Sequence, residues 1–150
     1  MTSVIRVTKL FSFEMAHLLS NYDGPCKNIH GHSYKLSVTV SGVPVQDNKS
    51  QKNGMVIDFS NLKAIIEKEI VNKFDHAVVI NKNHDPEKVN VFENLFGNAI
   101  FVDYQPTCEN LVADFASKII THLPNDIKLF SVKLHETATS YAEWHSGDNI

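Results

Sequence analysis

The stretch from His30 to Ser41 alternates between two kinds of side chain, and this alternation constrains the fold more than any other part of the chain. Its even positions hold two histidines and then Tyr34 and aliphatic residues, whereas its odd positions hold glycine, serine, lysine and threonine. A period of two predicts a β-strand with one buried face. Because side chains two apart share a face of a strand, His30 and His32 are expected to project together.

Further patterns predict the other elements of the chain. Imperfect alternation predicts a first strand over 4–17, with His17 at its end on the apolar face. Apolar residues at helical spacing predict one helix capped by Ser60 and another that follows Thr107. Further short strands are expected at 55–58, 129–136 and 139–145.

The main order of elements is strand, strand, helix, helix, strand, strand. This ββααββ order is an α+β pattern, and it predicts an antiparallel four-stranded sheet with two helices on one face. Residues 82–105 fit no clean template but are too apolar for a disordered linker, so we expect an ordered insertion that is helical near 89–96. The chain 1–150 is expected to be a single domain.

Composition excludes several classes of partner. The chain has 17 acidic and 14 basic residues, a formal net charge of −3 and no basic run, so nucleic-acid binding is not expected. No apolar run approaches the ~20 residues of a membrane span, and the N-terminus lacks the apolar core of a signal peptide. Cys26 and Cys108 make a poor disulfide framework. We therefore expect a cytoplasmic protein without a membrane partner.

His17, His30 and His32 form a candidate metal site. One histidine alone on an apolar face is most simply a hydrogen-bonded core residue. A same-face pair with a third histidine on a neighbouring strand instead favours metal ligation. Three protein ligands leave a fourth coordination position open, which is the pattern of catalytic Zn²⁺.

Four other side chains could carry chemistry. Cys26, four residues before His30, could be a bystander, a metal ligand or a base with a lowered pKa. The pair Asp75 and His76 could be an oriented acid–base pair or ordinary polar residues at a helix end. Glu136 ends the apolar row of Phe130, Val132 and Leu134. It could form a buried salt bridge or accept paired N–H groups of a ligand.

With these residues in place, the chain resembles the 6-pyruvoyl-tetrahydropterin synthase / 6-carboxy-tetrahydropterin synthase family. The resemblance covers most of the chain outside 82–105. One short motif is weak, but six in order are specific. They are Phe13-Glu14-Met15-Ala16-His17, Cys26-x3-His30-Gly31-His32, Val56-Ile57-Asp58-Phe59, Phe74-Asp75-His76, Pro106-Thr107-Cys108-Glu109-Asn110 and His135-Glu136-Thr137.

The resemblance implies a fold and a set of roles. The fold would be the tunnelling fold, in which subunits join their sheets into an oligomeric barrel, as homotrimers or hexamers with active sites at subunit interfaces. Glu136 would anchor a pterin ring, and Thr107 and Glu109 would line its pocket. The resemblance further implies Zn²⁺ on His17, His30 and His32, Cys26 as the general base, and Asp75 and His76 as acid–base partners from across an interface.

The resemblance also implies a substrate, 7,8-dihydroneopterin triphosphate, and a lyase reaction. Two products divide the family. The spacing of three residues between Cys26 and His30 resembles the queuosine branch, which releases acetaldehyde and triphosphate and forms 6-carboxy-5,6,7,8-tetrahydropterin. The first alternative is a 6-pyruvoyl-tetrahydropterin synthase of the biopterin pathway. An alternative of another class is a pterin- or zinc-binding protein without turnover.

Overall fold

Two long antiparallel strands form the centre of the sheet. A computed structural model describes residues 2–24 and 27–149. Strand β1 (Ile5–His17) pairs with β2 (His30–Gly42) along its whole length, and this register sets His17 opposite His30. The alternation of β2 therefore gives the predicted result, because its even-numbered side chains face the core.

Four shorter strands extend this pair into a six-stranded sheet of order β4-β3-β1-β2-β5-β6. Strand β3 runs parallel to β1, and β4 runs parallel to β3. Strands β5 and β6 continue the sheet antiparallel on the other side of β2. Their bounds are β3 (Ala77–Asn81), β4 (Ala99–Val102), β5 (Lys128–His135) and β6 (Tyr141–His145).

The predicted antiparallel four-stranded sheet is therefore wrong, because the sheet is mixed and has two more strands. Strands β3 and β4 each contain a run of four apolar residues, too short to show the alternation that marks a half-buried strand. The short strand expected at 55–58 does not form. The Met55 carbonyl accepts a hydrogen bond from Val45, and Asp58 already caps the next helix.

The helices begin at side-chain caps. Helix α1 (Phe59–Ile66) is capped by Asp58, whose carboxylate accepts the Ser60 N–H, so the cap expected at Ser60 is two residues too late. It continues through a π-helical turn, Glu67–Val71, and a last α-helical turn, Asn72–Phe74. The other two helices are α2 (Pro86–Leu95), which lies in the predicted insertion, and α3 (Cys108–Ile120).

Helices α1 and α3 cover one face of the sheet, as predicted. Phe13 stacks on Tyr34 at 5.5 Å between ring centroids, and Phe115 of α3 packs edge-on against Phe13 at 6.3 Å. Helix α2 buries none of its residues, so it adds nothing to this core. The other face of β1 stays open, and Leu10 on it is 70% exposed. No helix in 2–24 or 27–149 is long and apolar enough to cross a membrane.

A β-bulge changes the predicted apolar row of β5. The register with β2 shifts between Thr39 and Val40, so Leu129 pairs with Val40 and takes the core position expected for Phe130. Phe130 instead lies 3.7 Å below the guanidinium of Arg6. Beyond the bulge the prediction holds, and Val132 and Leu134 are fully buried on the core face. Glu136 follows them one residue after β5 ends.

Candidate metal centre and adjoining cavities

The three predicted histidines meet at one end of the central strand pair. One ring nitrogen from each of His17, His30 and His32 lies within 4.8 Å of the others. His17 is 1% exposed, and the other two are partly buried. The β1–β2 register produces this cluster, because it pairs His17 with His30 and Met15 with His32.

Hydrogen bonds fix which nitrogens of two rings carry protons. His17 donates from Nδ1 to the Pro106 carbonyl at 2.7 Å, and His30 donates from Nδ1 to the Asn28 carbonyl at 2.8 Å. A carbonyl oxygen can only accept, so each neutral ring has an unprotonated Nε2. Those two Nε2 atoms face each other at 3.0 Å. Two lone pairs this close repel each other unless a proton or a metal ion lies between them.

His32 and the carboxylate of Glu136 lie beside these two nitrogen atoms. The Nε2 atom of His32 is buried and has no hydrogen-bond partner in the described chain. It lies 3.5 Å from an Oε of Glu136. Burial lowers the pKa of His17, which keeps its imidazole neutral and able to bind a cation. This donor set, three imidazoles of which two have their second nitrogen held by a hydrogen bond, fits a divalent metal such as Zn²⁺.

A cavity of about 330 Å³ opens beside His17 and contains the three predicted substrate-binding residues, Thr107, Glu109 and Glu136. Thr107 caps α3, and its hydroxyl oxygen accepts the Asn110 N–H. Glu136 is held by a tight turn, because its N–H donates to the Ser140 carbonyl at 3.1 Å. Fixed carboxylates beside a metal site can orient a polar ring that carries several N–H groups.

Asp75 and His76 are not brought into this cavity. His76 lines another cavity of about 330 Å³ with the exposed residues Glu14 and Ser33 and with His32 of the histidine cluster. The two residues do form a pair, because the left-handed backbone of His76 (φ 61°) brings its Nδ1 within 3.0 Å of an Asp75 oxygen. The Glu14 N–H donates to the same carboxylate at 2.9 Å and lowers the pKa of Asp75.

Cys26 lies outside the described residues, so its role remains a prediction.

Gln105 was missed by sequence reasoning, although its side chain accepts the Ser20 N–H at 3.1 Å and donates to the Ser20 carbonyl at 2.7 Å. These two hydrogen bonds hold the loop after β1 against the segment before α3. A lone glutamine in a polar loop gives no signal of such a role.

We expect Cys108 to resist alkylation in the folded protein. Burial raises the pKa of its thiol to about 11, and the thiol donates to the Leu134 carbonyl at 3.1 Å. At pH 8 this leaves about 100-fold less thiolate than in an ordinary cysteine, so the start of helix α3 does not activate this thiol. Mass spectrometry of iodoacetamide-treated protein measures the rate. The urea-unfolded chain is the control, and equal rates in the two states would contradict the burial argument.

Comparison with known proteins places the chain in a family. Residues 6–146 match the family profile described as 6-pyruvoyl tetrahydropterin synthase. The chain belongs to this family, as its six motifs predicted.

Among its relatives, a Haemophilus influenzae protein named 6-carboxy-5,6,7,8-tetrahydropterin synthase is 36% identical over 143 residues, which cover 94% of this chain and 99% of the relative. A Rickettsia conorii protein of the same name is 33% identical over 93% of this chain and 99% of its own. The solved structure of Plasmodium falciparum 6-pyruvoyl tetrahydropterin synthase superposes with a TM-score of 0.69 at 22% identity, over 96% of this chain and 98% of that one. The single chain therefore has the subunit fold of this family.

Proposed function

We propose that this protein is a zinc-dependent lyase that converts 7,8-dihydroneopterin triphosphate and water into 6-carboxy-5,6,7,8-tetrahydropterin, acetaldehyde and triphosphate in queuosine biosynthesis. The observation that carries the proposal is the pair of facing, unprotonated Nε2 atoms of His17 and His30, which adjoin the cavity containing Glu136. The names of the relatives support the pterin substrate and the carboxy product. The spacing of Cys26 and His30 favours the same branch.

The proposed site divides its tasks between a metal and side chains. His17, His30 and His32 would hold Zn²⁺, which as a Lewis acid would polarise hydroxyl oxygens of the substrate side chain. Glu136 would accept hydrogen bonds from the amino and ring N–H groups of the pterin, with Thr107 and Glu109 beside it. Cys26 would remove the proton next to the polarised oxygen.

Asp75 and His76 require a second subunit in this proposal. Within one chain His76 lines a different cavity from the one that contains Glu136, and His32 of the histidine cluster borders the cavity of His76. A homo-oligomer, trimeric or hexameric, that joins sheets into a barrel would bring His76 of one subunit towards the metal site of the next. Strands β4 and β6 supply the edges for such pairing, because each has one neighbouring strand among the described residues. We propose a cytoplasmic location for this assembly.

Incubating the zinc-loaded protein with 7,8-dihydroneopterin triphosphate tests the function. We expect equal amounts of acetaldehyde and 6-carboxy-5,6,7,8-tetrahydropterin, because the side chain is cleaved after triphosphate leaves. Mass spectrometry identifies the pterin, and a coupled alcohol dehydrogenase assay measures acetaldehyde. The metal-stripped protein and its zinc-reconstituted form are the matched controls.

Other outcomes of this incubation have defined meanings. A stable pyruvoyl pterin without acetaldehyde would replace the proposal with the 6-pyruvoyl synthase. Substrate binding without any product from the zinc-loaded oligomer would instead indicate a non-catalytic pterin-binding protein.

A further inference from the structure

A large cationic cavity lies next to the metal site and takes no part in the roles described so far. Its volume is about 620 Å³. Its described lining contains three basic side chains, Lys27, His84 and Lys88, and no carboxylate.

The two lysines of this cavity are uncommitted. Neither Lys27 nor Lys88 forms a salt bridge within 2–24 or 27–149, where the lysines that pair with a carboxylate are Lys52, Lys63, Lys73 and Lys118. Asp85, the acid nearest to His84 in sequence, points its carboxylate at the Glu87 N–H. Unpaired cations around one space favour an anionic ligand.

The cavity adjoins the proposed catalytic site on two sides. Leu19 and Tyr22 line both this cavity and the one that contains Glu136, so one loop forms the wall between them. Asn28 also lines it, and the carbonyl of Asn28 holds the ring of His30. A ligand anchored at Glu136 and reaching past the histidines would therefore place its far end among the lysines.

Hydrogen bonds and a ring stack hold the wall of this cationic cavity in place. The loop that carries Leu19 and Tyr22 is fixed by the double hydrogen bond between Gln105 and Ser20. His84 stacks on Phe92 of α2 with 6.3 Å between ring centroids. Helix α2 lies in the 82–105 segment and buries no residue in the core. It does line this cavity, through Lys88 and Phe92.

The geometry points to a polyphosphate subsite: Lys27 and Lys88, with His84, bind the triphosphate tail of the substrate while Glu136 binds its ring. This inference rests on the proposed function for the identity of the ligand. It assigns the 82–105 segment to substrate binding, with Lys88 as a specificity-determining residue. The released inorganic triphosphate has the same chemistry and would bind the same lysines until it leaves.

Lys88→Gln tests the subsite with least disturbance, because Lys88 is exposed and lies on a different element from Cys26. We expect KM for the triphosphate substrate to rise at least ~10-fold, since a charge-assisted hydrogen bond is lost, with kcat within about twofold of wild type. Lys88→Arg is expected to restore KM, and Lys88→Glu to raise it further. Affinity for dihydroneopterin without phosphates should not change.

Lys128→Gln is the matched control. It removes one positive charge at the far end of the sheet, where Lys128 pairs with Ser41, and should leave KM unchanged. A merely structural role of Lys88 would change thermal stability and the affinities for both the phosphorylated and the unphosphorylated pterin. An unchanged KM in Lys88→Gln and in Lys27→Gln, with normal turnover, would overturn the inference.

A binding experiment decides the matter without turnover. Inorganic triphosphate is titrated into the zinc-loaded oligomer by calorimetry with excess Mg²⁺, and zinc content is measured afterwards to exclude chelation. We expect the double variant K27Q/K88Q to bind at least ~100-fold more weakly than wild type or Lys128→Gln. Equal binding in all three would overturn the subsite. Weak binding in the double variant alone, together with an inactive wild type, would retain the subsite and refute the proposed reaction.

Discussion

Replacing His30 with alanine is expected to remove the metal and, with it, all turnover. The change deletes one of the two facing Nε2 atoms, and two histidines cannot hold zinc as three do. The loss of affinity should exceed the ~100-fold typical of deleting a mere hydrogen-bond partner of a ligand. Elemental analysis of the purified variant measures the zinc per chain, which should fall from about one to near zero.

The control for this change is His122→Ala. His122 is an exposed histidine that lies 3.5 Å from Glu69 and is not a member of the histidine cluster. Its removal should leave zinc content at the wild-type level. Unaltered zinc in His30→Ala would refute the ligand assignment. Both variants should be compared by thermal unfolding, because a ligand at 100 times its Kd adds about 2.7 kcal/mol to the free energy of unfolding.

Cys26→Ala should abolish turnover while the metal stays bound. A positioned general base contributes ~10²- to 10⁴-fold to rate, so kcat is expected to fall by that factor. Zinc content should not change, because the three histidines suffice to hold the metal. Steady-state kinetics and elemental analysis on the same preparation measure the two quantities together.

Cys26→Ser refines this test. Serine keeps the size of the side chain, but its hydroxyl is far less acidic than a thiol, so it cannot serve as the base near neutral pH. The serine variant should be as inactive as the alanine variant. Normal turnover in either variant would refute the base. Loss of zinc together with activity would identify Cys26 as a ligand instead.

The histidine cluster could be predicted because it depends on local pattern and on one strand pairing. Alternation placed His30 and His32 on one face, and the expected end of the first strand placed His17 near them. Only the register of β1 on β2 was needed to join the three. Glu136 was found for a similar reason, since a carboxylate that ends a buried row stands out from its neighbours.

Other features depend on contacts between distant segments, which no local pattern records. Strands β3 and β4 owe their direction to crossovers, and the bulge at Phe130 arises from its register with β2. The cap at Asp58 was missed because Ser60 is an equally good capping type two residues later. The lysines at 27 and 88 are 61 positions apart and come together only when α2 folds back beside the loop before β2.

The hydrogen bond from His17 to the Pro106 carbonyl has a consequence for the dynamics of the molecule. Gln105, the neighbour of Pro106, makes two hydrogen bonds to Ser20 on the loop after His17. Hydrogen bonds therefore connect the ring of His17, this loop and the segment before helix α3. Loss of the proposed Zn²⁺ would leave the lone pairs of His17 and His30 facing each other within this connected region, where they repel. Metal release and local unfolding of the wall between the two cavities would then be one cooperative event.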